Sequence, residues 1–150
     1  MRLFSAVERF VSLVFDRRYD EADAVLRELR EAVSGDEITR LVGVEEALRA
    51  KVGQLGSGPS AQRRTLARSY MVASRLRDQE YWLEAEAIYR EVVRLSLAMN
   101  EAFFLNEARL SRAVCLKNLG RMSEYEQAKA EVPAGRTTLI DGVNWRVEDL

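Results

Sequence analysis

One spaced pattern of apolar residues occurs twice in this chain, and its spacing is that of a helix packed against another helix. Each copy places an aromatic residue, an alanine, a large residue and an aliphatic residue in that order: Tyr19, Ala22, Leu26 and Leu29, then Trp82, Ala85, Tyr89 and Val92. The ring fills the space between two helices, and the alanine one turn later lets the backbones approach. Helical apolar residues precede each copy, at Phe10 and Leu13 and at Ala73 and Leu76. The sequence therefore predicts two helical hairpins.

A third, weaker copy follows these two. Its first helix has the matching residues Ala113, Leu116 and Gly120, but its second helix departs from the pattern with Met122, Tyr125, Lys129 and Val132. The three copies resemble the tetratricopeptide-repeat family over residues 5–30, 65–97 and 108–132. This resemblance implies stacked antiparallel helical hairpins, with a shared face that binds another protein.

Two departures limit what the resemblance implies. Phe10 and Ala73 are 63 residues apart and Ala73 and Ala113 are 40 apart, whereas the family repeats about every 34 residues. The family's clamp of Lys and Asn side chains for a terminal carboxylate has no counterpart, because the matching positions hold Tyr70, Ser74, Leu110 and Val114. Binding of a free C-terminus is therefore not expected.

The length and the apolar content predict a single all-α domain over residues 1–150. With 150 residues and 47% hydrophobic content, the chain can bury one sizeable core. The apolar period predicts seven helices, near residues 2–17, 19–34, 37–53, 60–79, 81–98, 101–119 and 121–131. Residues 55–60 form a flexible link between the N-terminal helices (1–54) and the C-terminal hairpins (61–132). Gly35-Asp36 supplies a stop and a cap, Ser60 a second cap, and Gly120 a left-handed helix end.

The tail over residues 133–150 changes character. Asp141-Gly142 lies between two β-branched runs, which is the strongest short signal for a two-residue β-hairpin. In that register Ile140 faces Val143 and Thr138 faces Trp145, which predicts a shared apolar side that Val147 extends. We expect this hairpin or extended tail to pack on the helices with Trp145 largely buried, because a lone hairpin is marginal in water. Pairing with a second copy or with a partner's sheet are the alternatives.

The residue types argue against an enzyme. The chain has no histidine, which removes the commonest general base and most zinc sites. Close carboxylates such as Glu84 and Glu86 are interpreted as a solvated, salt-bridged helix face. The single cysteine, Cys115, is interpreted as a small core residue. We therefore predict no catalytic residues, no metal and no cofactor.

Arginines crowd the fourth predicted helix and give the first candidate binding surface. Arg64, Arg68 and Arg75 form a stripe beside Tyr70, with Arg77 near it. An acidic protein surface fits this stripe better than nucleic acid does, since one ring alone offers stacking and Glu-rich helices surround it. Ordinary surface ion pairs within the chain are the third interpretation.

Helix one gives the second candidate surface, through Phe4, Val11 and Phe15. Apolar residues spread around most of its circumference, so something must cover it: the third helix or the tail, then a second subunit, then a foreign partner. Glu8 and Arg9 in its middle argue against a signal peptide or a spanning helix, and predict a cytoplasmic chain.

These observations predict a non-enzymatic domain that binds a partner protein or peptide on a helical face, in the manner of an adaptor or scaffold. A dedicated neutraliser of one partner, such as an immunity protein for a toxin or a secretion chaperone, is a narrower use of the same scaffold. A regulatory nucleic-acid binder acting through the arginine stripe is the rival of a different class. A homodimer through helix one or the tail stays open.

Overall fold

The computed structural model of this chain describes residues 3–32, 37–140 and 143–150. Within these ranges the chain forms seven α-helices, a two-stranded antiparallel sheet and a final 3-10 helix. The elements are α1 Leu3–Phe15, α2 Tyr19–Ala32, α3 Glu37–Gly53, α4 Pro59–Asp78, α5 Trp82–Ala98, α6 Leu105–Asn118, α7 Met122–Ala130, β1 Thr137–Ile140, β2 Val143–Arg146 and the 3-10 helix Val147–Asp149. The predicted all-α class with a C-terminal hairpin is confirmed.

The helices pack mainly as sequential neighbours. α1 packs on α2, α4 on α5, and α6 on α7, while α5 also packs against α6. α3 contacts both α1 and α5 and so joins the first hairpin to the second. The repeated pattern faces inward as expected, because Ala22, Ala85 and Tyr89 are fully buried. In the weaker third copy Tyr125 is buried and Met122 is exposed.

Within the described residues, four helices end in the same backbone turn. Arg17, Glu80, Asn100 and Gly120 all adopt a positive φ, between 53° and 74°. The N–H of the next residue then donates to the carbonyl five residues earlier, as Tyr81 does to Leu76 at 2.9 Å. This arrangement satisfies helix-end carbonyls and reverses the chain. The predicted left-handed Gly120 is confirmed, while the predicted stop at Gly35-Asp36 lies outside the described residues.

The apolar surface of α1 is covered within the chain. Phe10, Val11 and Val14 are fully buried, and α1 packs against α2, α3 and α4. The third helix was one of the two predicted covers. The reason for expecting a second subunit on α1 is thereby removed.

One predicted helix cap is wrong, and one helix starts later than predicted. α4 begins with Pro59 after the N-cap residue Gly58, and Ser60 makes no capping hydrogen bond as N-cap. Proline fits the first helical position, since its missing N–H has no helical acceptor there and its φ is already helical. α6 begins at Leu105 and not near residue 101, because residues 101–104 form the turn after the left-handed Asn100.

The tail folds back on the helices in the predicted register. Ile140 pairs with Val143 and Thr138 with Trp145, while the turn residues Asp141 and Gly142 lie outside the described residues. Thr138 is buried, and its hydroxyl lies 3.3 Å from the Ser111 hydroxyl of α6. The predicted burial of Trp145 is wrong: its exposed fraction is 42%. The helices lie under β1, and Trp145 is on β2, the strand farther from them.

Residues after the sheet complete the tail's attachment. Val147 is buried in a small cluster with Leu110 and Val132, and Leu150 packs against it. The Lys129 ammonium donates a hydrogen bond to the Leu150 carbonyl at 3.2 Å. In the described part of the chain, no helix is both long and apolar enough to cross a membrane.

Candidate protein-binding groove

A groove of about 600 Å³ lies between α3, α4 and α5. Each of the three helices contributes side chains to it. They are Glu45, Leu48, Arg49 and Val52 from α3, Thr65 and Ser69 from α4, and Ala87, Ile88, Arg90, Glu91, Arg94 and Leu95 from α5. A pocket of this volume has room for several side chains of a partner.

The groove has an apolar floor and small residues along one wall. Leu48 and Ile88 are buried at the floor, and Val52 and Leu95 are half-buried. The facing positions on α4 and α5 hold Thr65, Ser69 and Ala87, whose short side chains leave space between the helices. An open apolar floor bounded by polar residues is typical of a protein or peptide binding site.

The rim of the groove is rich in arginine. Arg94 is paired with Glu91, with Nε and Oε2 2.9 Å apart, and this hydrogen bond lowers the pKa of the Glu91 carboxyl. Arg90 lies 3.5 Å from a carboxylate oxygen of the buried Glu86. Arg49 forms no ion pair with any residue in the described ranges. A free guanidinium at the rim can bind an incoming carboxylate through two parallel hydrogen bonds.

Two buried carboxylates on α5 hold it to neighbouring elements: Glu84 joins α5 to the groove helix α3, and Glu86 joins it to α6 and to the start of α7. The Glu84 carboxylate lies 3.4 Å from Arg40 of α3, and that of Glu86 lies 3.4 Å from Arg121 and 3.9 Å from Arg112. Both glutamates have exposed fractions of 1%. The prediction of a solvated surface for this pair is wrong, because arginines distant in sequence reach over the carboxylates and replace water.

Burial also changes the acidity of one of these groups. Desolvation raises the pKa of Glu84, and the opposing effect of Arg40 offsets it only in part. Glu84 contributes to packing against α3 and does not line the groove. Its role in the site is therefore to position the α3 wall.

The predicted arginine stripe on α4 is divided between structure and surface. Arg75 bonds Asp23 of α2, with Nε 2.9 Å from Oδ1, and stacks over the Tyr19 ring at 5.6 Å. Arg77 is buried and donates to Ser111 and to the Leu139 carbonyl. Neither guanidinium is therefore available as a free surface charge. Only Arg64 and Arg68 of the stripe remain toward solvent.

Tyr70 belongs to a row of contacting rings that leads into the core. Its ring centroid lies 5.0 Å from that of Phe104 and 5.7 Å from that of Tyr89. Burial raises the pKa of the Tyr70 hydroxyl. The ring therefore packs against its own chain, and it is not a free platform for a base or a partner.

The predicted surface on helix one is not brought to the groove. Val11 is fully buried, and Phe15 is half-buried against the main core. The side chain of Phe4 lies outside the part of the chain that the structure describes. Val11 and Phe15 reinforce the main core.

The groove residues carried a weak signal in the sequence. Thr65, Ser69 and Ala87 are small residues at core-facing helical positions, where larger ones would close the space. Arg49 resembles any other surface arginine until the fold places it on the rim. The third helix has no counterpart in the repeated pattern, so that pattern cannot indicate a groove to which α3 contributes.

Among the described residues, no group of three or more potential metal-ligating side chains comes together. Cys115 is buried, and burial raises the pKa of its thiol. Comparisons with protein-family models, with curated proteins and with solved structures found no match for this chain.

Proposed function

We propose that this chain is a non-enzymatic protein-binding domain, and that the groove between α3, α4 and α5 binds a short acidic segment of a partner protein. The observation that carries the proposal is the combination of an apolar floor with a rim of Arg49, Arg90 and Arg94. An amphipathic segment places apolar anchors on the floor while its carboxylates reach the rim. The resemblance to stacked helical hairpins supports the same use of a shared helical face.

The charge on the adjoining surface supports an acidic partner. Arg64 and Arg68 lie on α4 next to the groove residues Thr65 and Ser69, and neither pairs with a carboxylate among the described residues. Glu91 and Arg94 are paired with each other and add little net charge, so within the described ranges Arg49 and Glu45 are the unpaired charges on the rim. Together with Arg64 and Arg68, Arg49 therefore gives this surface an excess of positive charge.

A protein segment suits the groove better than nucleic acid does. No aromatic side chain lines the groove, whereas single-stranded nucleic acid is held mainly by stacking on rings beside a basic channel. Arg75 and Arg77 are engaged within the fold, which shortens the stripe that favoured phosphate binding. A partner with apolar side chains uses the floor, which phosphates leave unused.

A random-peptide display library panned against the whole protein tests the proposal. We expect enriched peptides to combine apolar residues at helical spacing with an excess of Asp and Glu. A peptide from that pool should lose about tenfold or more in affinity toward Arg49→Glu, because charge reversal at a rim repels its carboxylates. Ala87→Trp, which fills the floor, should weaken binding as well.

Arg27→Glu is the matched control, since Arg27 is an exposed arginine on α2 and does not line the groove. It should bind the selected peptide as tightly as the wild type. Enrichment of neutral or basic peptides, or equal binding by Arg49→Glu and Arg27→Glu, would refute the groove. Steeply salt-dependent binding of a single-stranded oligonucleotide would favour the nucleic-acid alternative.

A further inference from the structure

The backbone groups of the C-terminal hairpin show which edge of the sheet is open. Val147 donates its N–H to the Arg136 carbonyl at 2.9 Å, which places the hydrogen-bonding groups of both residues between the strands. Along a strand, the backbone N–H and C=O groups of successive residues point alternately to one side and to the other. In the register of this hairpin, the peptide groups of Thr137 and Leu139 therefore point outward from β1, and those of Asn144 and Arg146 point outward from β2.

The two outer edges differ in what they meet. On β1, the Leu139 carbonyl accepts a hydrogen bond from Arg77 Nη2 of α4 at 2.6 Å, so the helical body covers that edge at Leu139. On β2, the peptide groups of Asn144 and Arg146 bond to no residue in the described ranges, and all four residues of the strand are exposed. Such an edge is a template for another extended strand.

We propose that β2 pairs with β2 of a second copy of this chain, forming a continuous four-stranded antiparallel sheet. Asn144 exchanges both backbone hydrogen bonds with Arg146 of the second copy, and the reverse pair does the same. Trp145 then lies directly opposite Trp145 of the second copy in a non-hydrogen-bonded pair, where side chains are closest. This register uses every outward peptide group of β2.

The edge is complementary to itself in charge and in shape. Arg146 meets the neutral Asn144 of the second copy, and its own charge is already paired with Asp149, with Nε and Oδ2 3.2 Å apart. On the other face, Trp145 and Val143 are both about half exposed and would become covered. Along the four described residues of β2, no like charges face each other in this register, which removes the usual obstacle to edge pairing.

The position of the helices leaves room for this pairing. Thr138 shows that the helical body lies under β1, and Arg77 covers β1 at Leu139 on the side away from β2. A two-fold axis perpendicular to the sheet puts both helical bodies on the same face, each under its own β1. Trp145 from the two copies then fills the space between the bodies.

The dimer is expected to be concentration-dependent, because a short edge and one pair of rings bury less surface than the about 1,200 Å² typical of stable complexes. Sedimentation velocity of the full chain between about 5 µM and about 500 µM tests this. We expect monomer at the low end and dimer at the high end. In a Trp82→Phe variant, where Trp145 is the remaining tryptophan, emission should shift to shorter wavelength over the same range.

Asn144→Pro and Asn144→Ala form a matched pair of variants. Both variants remove the asparagine side chain, but only proline also removes the outward N–H. Proline leaves the hydrogen bonds to β1 intact, because the peptide groups of residue 144 point away from that strand. Asn144→Pro should raise the dimer dissociation constant by about tenfold or more, while Asn144→Ala should stay near the wild type. Trp145→Ala should also weaken the dimer.

Melting temperature and far-ultraviolet circular dichroism of Asn144→Pro establish that it remains folded as a monomer. A wild type that stays monomeric at the highest concentration would overturn the proposal. So would a dimer that Asn144→Pro and Asn144→Ala form equally well. Peptide binding in the groove does not involve this edge, so the two proposals fail independently.

Discussion

The guanidinium of Arg77 holds the C-terminal hairpin against the helices, and replacing it should loosen that attachment. Nη1 donates to the Ser111 hydroxyl at 2.7 Å, and Nη2 donates to the Leu139 carbonyl at 2.6 Å. Asp78 also accepts from Nε and Nη2, at 3.1 and 3.0 Å. The side chain is 5% exposed, so water cannot easily replace these partners once the guanidinium is gone.

The group stays charged in this setting. Burial lowers the pKa of Arg77, but the neighbouring Tyr89, Asp78 and Tyr70 together raise it, and the net pKa lies above the ordinary value. Hydrogen bonds that involve a charged group contribute about 1.5–3 kcal/mol each, against about 0.5–1.5 kcal/mol for neutral ones. The contribution of Arg77 therefore comes from charge-assisted bonds to three different residues.

Arg77→Met should destabilise the fold by about 2–4 kcal/mol. Methionine keeps the apolar stem but leaves Ser111, Leu139 and Asp78 without their donor. Summing the lost bonds alone gives a larger loss. Removing a desolvated cation returns part of that energy, because burying the charge was itself unfavourable. The estimate is the difference between these two effects.

Urea denaturation followed by far-ultraviolet circular dichroism measures the change. Arg64→Met is the matched control, because Arg64 lies on the same helix, is exposed, and bonds only to Ser60 at 3.5 Å. The free energy of unfolding of that control should stay within about 0.5 kcal/mol of the wild-type value. Hydrogen exchange at the Val147 amide should also accelerate in Arg77→Met. Equal stabilities for the two variants would refute the reasoning.

Three further predictions follow from the packing. Ala85→Leu should lower the free energy of unfolding by about 1–3 kcal/mol, because Ala85 is fully buried at a helix crossing. If this variant melts at the same temperature as the wild type, the two helices can move apart to admit the larger side chain. Arg75→Glu should lower the melting temperature clearly, since it places two carboxylates together at Asp23, and thermal melts of a double variant that also carries Asp23→Arg should show partial recovery. Glu84→Gln should gain stability relative to the wild type as the pH rises from about 4 to about 7. Burial raises the pKa of Glu84 in the folded state despite Arg40. The contribution of protonated Glu84 to folding stability is therefore complete below the pKa of the unfolded state, and it is lost as the pH rises through the pKa of the folded state. Urea titrations at both pH values measure this difference, and a constant difference would contradict it.

Local pattern predicted the helices and the hairpin register well. The apolar period placed all seven helices, and the β-branched runs around residues 141–142 gave the pairing of Thr138 with Trp145. Both depend on residues close in sequence, where spacing and turn chemistry are decisive. The left-handed residue at Gly120 was predictable for the same reason. Arg17 and Glu80 adopt the same conformation without glycine, because the packed hairpin imposes it on them.

Burial that depends on distant partners could not be predicted in this way. Glu84 bonds an arginine 44 residues away, and Glu86 one that is 35 residues away. Glu84 and Glu86 alone read as a solvated face, because the sequence does not show which arginines will cover them. The prediction for Trp145 was wrong in the opposite sense. Its size suggested a core residue, but the helices lie under β1 and Trp145 is on β2. The position of α3, which sets the groove, was equally hidden.

Arginine far outnumbers lysine in this chain, and these contacts give that composition a physical role. The planar guanidinium presents several donors in a fixed geometry and is weakly hydrated, so it can enter a partly buried site where an ammonium would stay solvated. Arg75 and Arg77 use this property to join elements that are far apart in the chain. Substitution of such residues should therefore alter folding before it alters binding. Arg49 and Arg68 pair with no described carboxylate, so their substitution should alter binding while leaving stability nearly unchanged. Measuring stability and binding on the same variants thus separates the arginines that build the fold from those that can meet a partner.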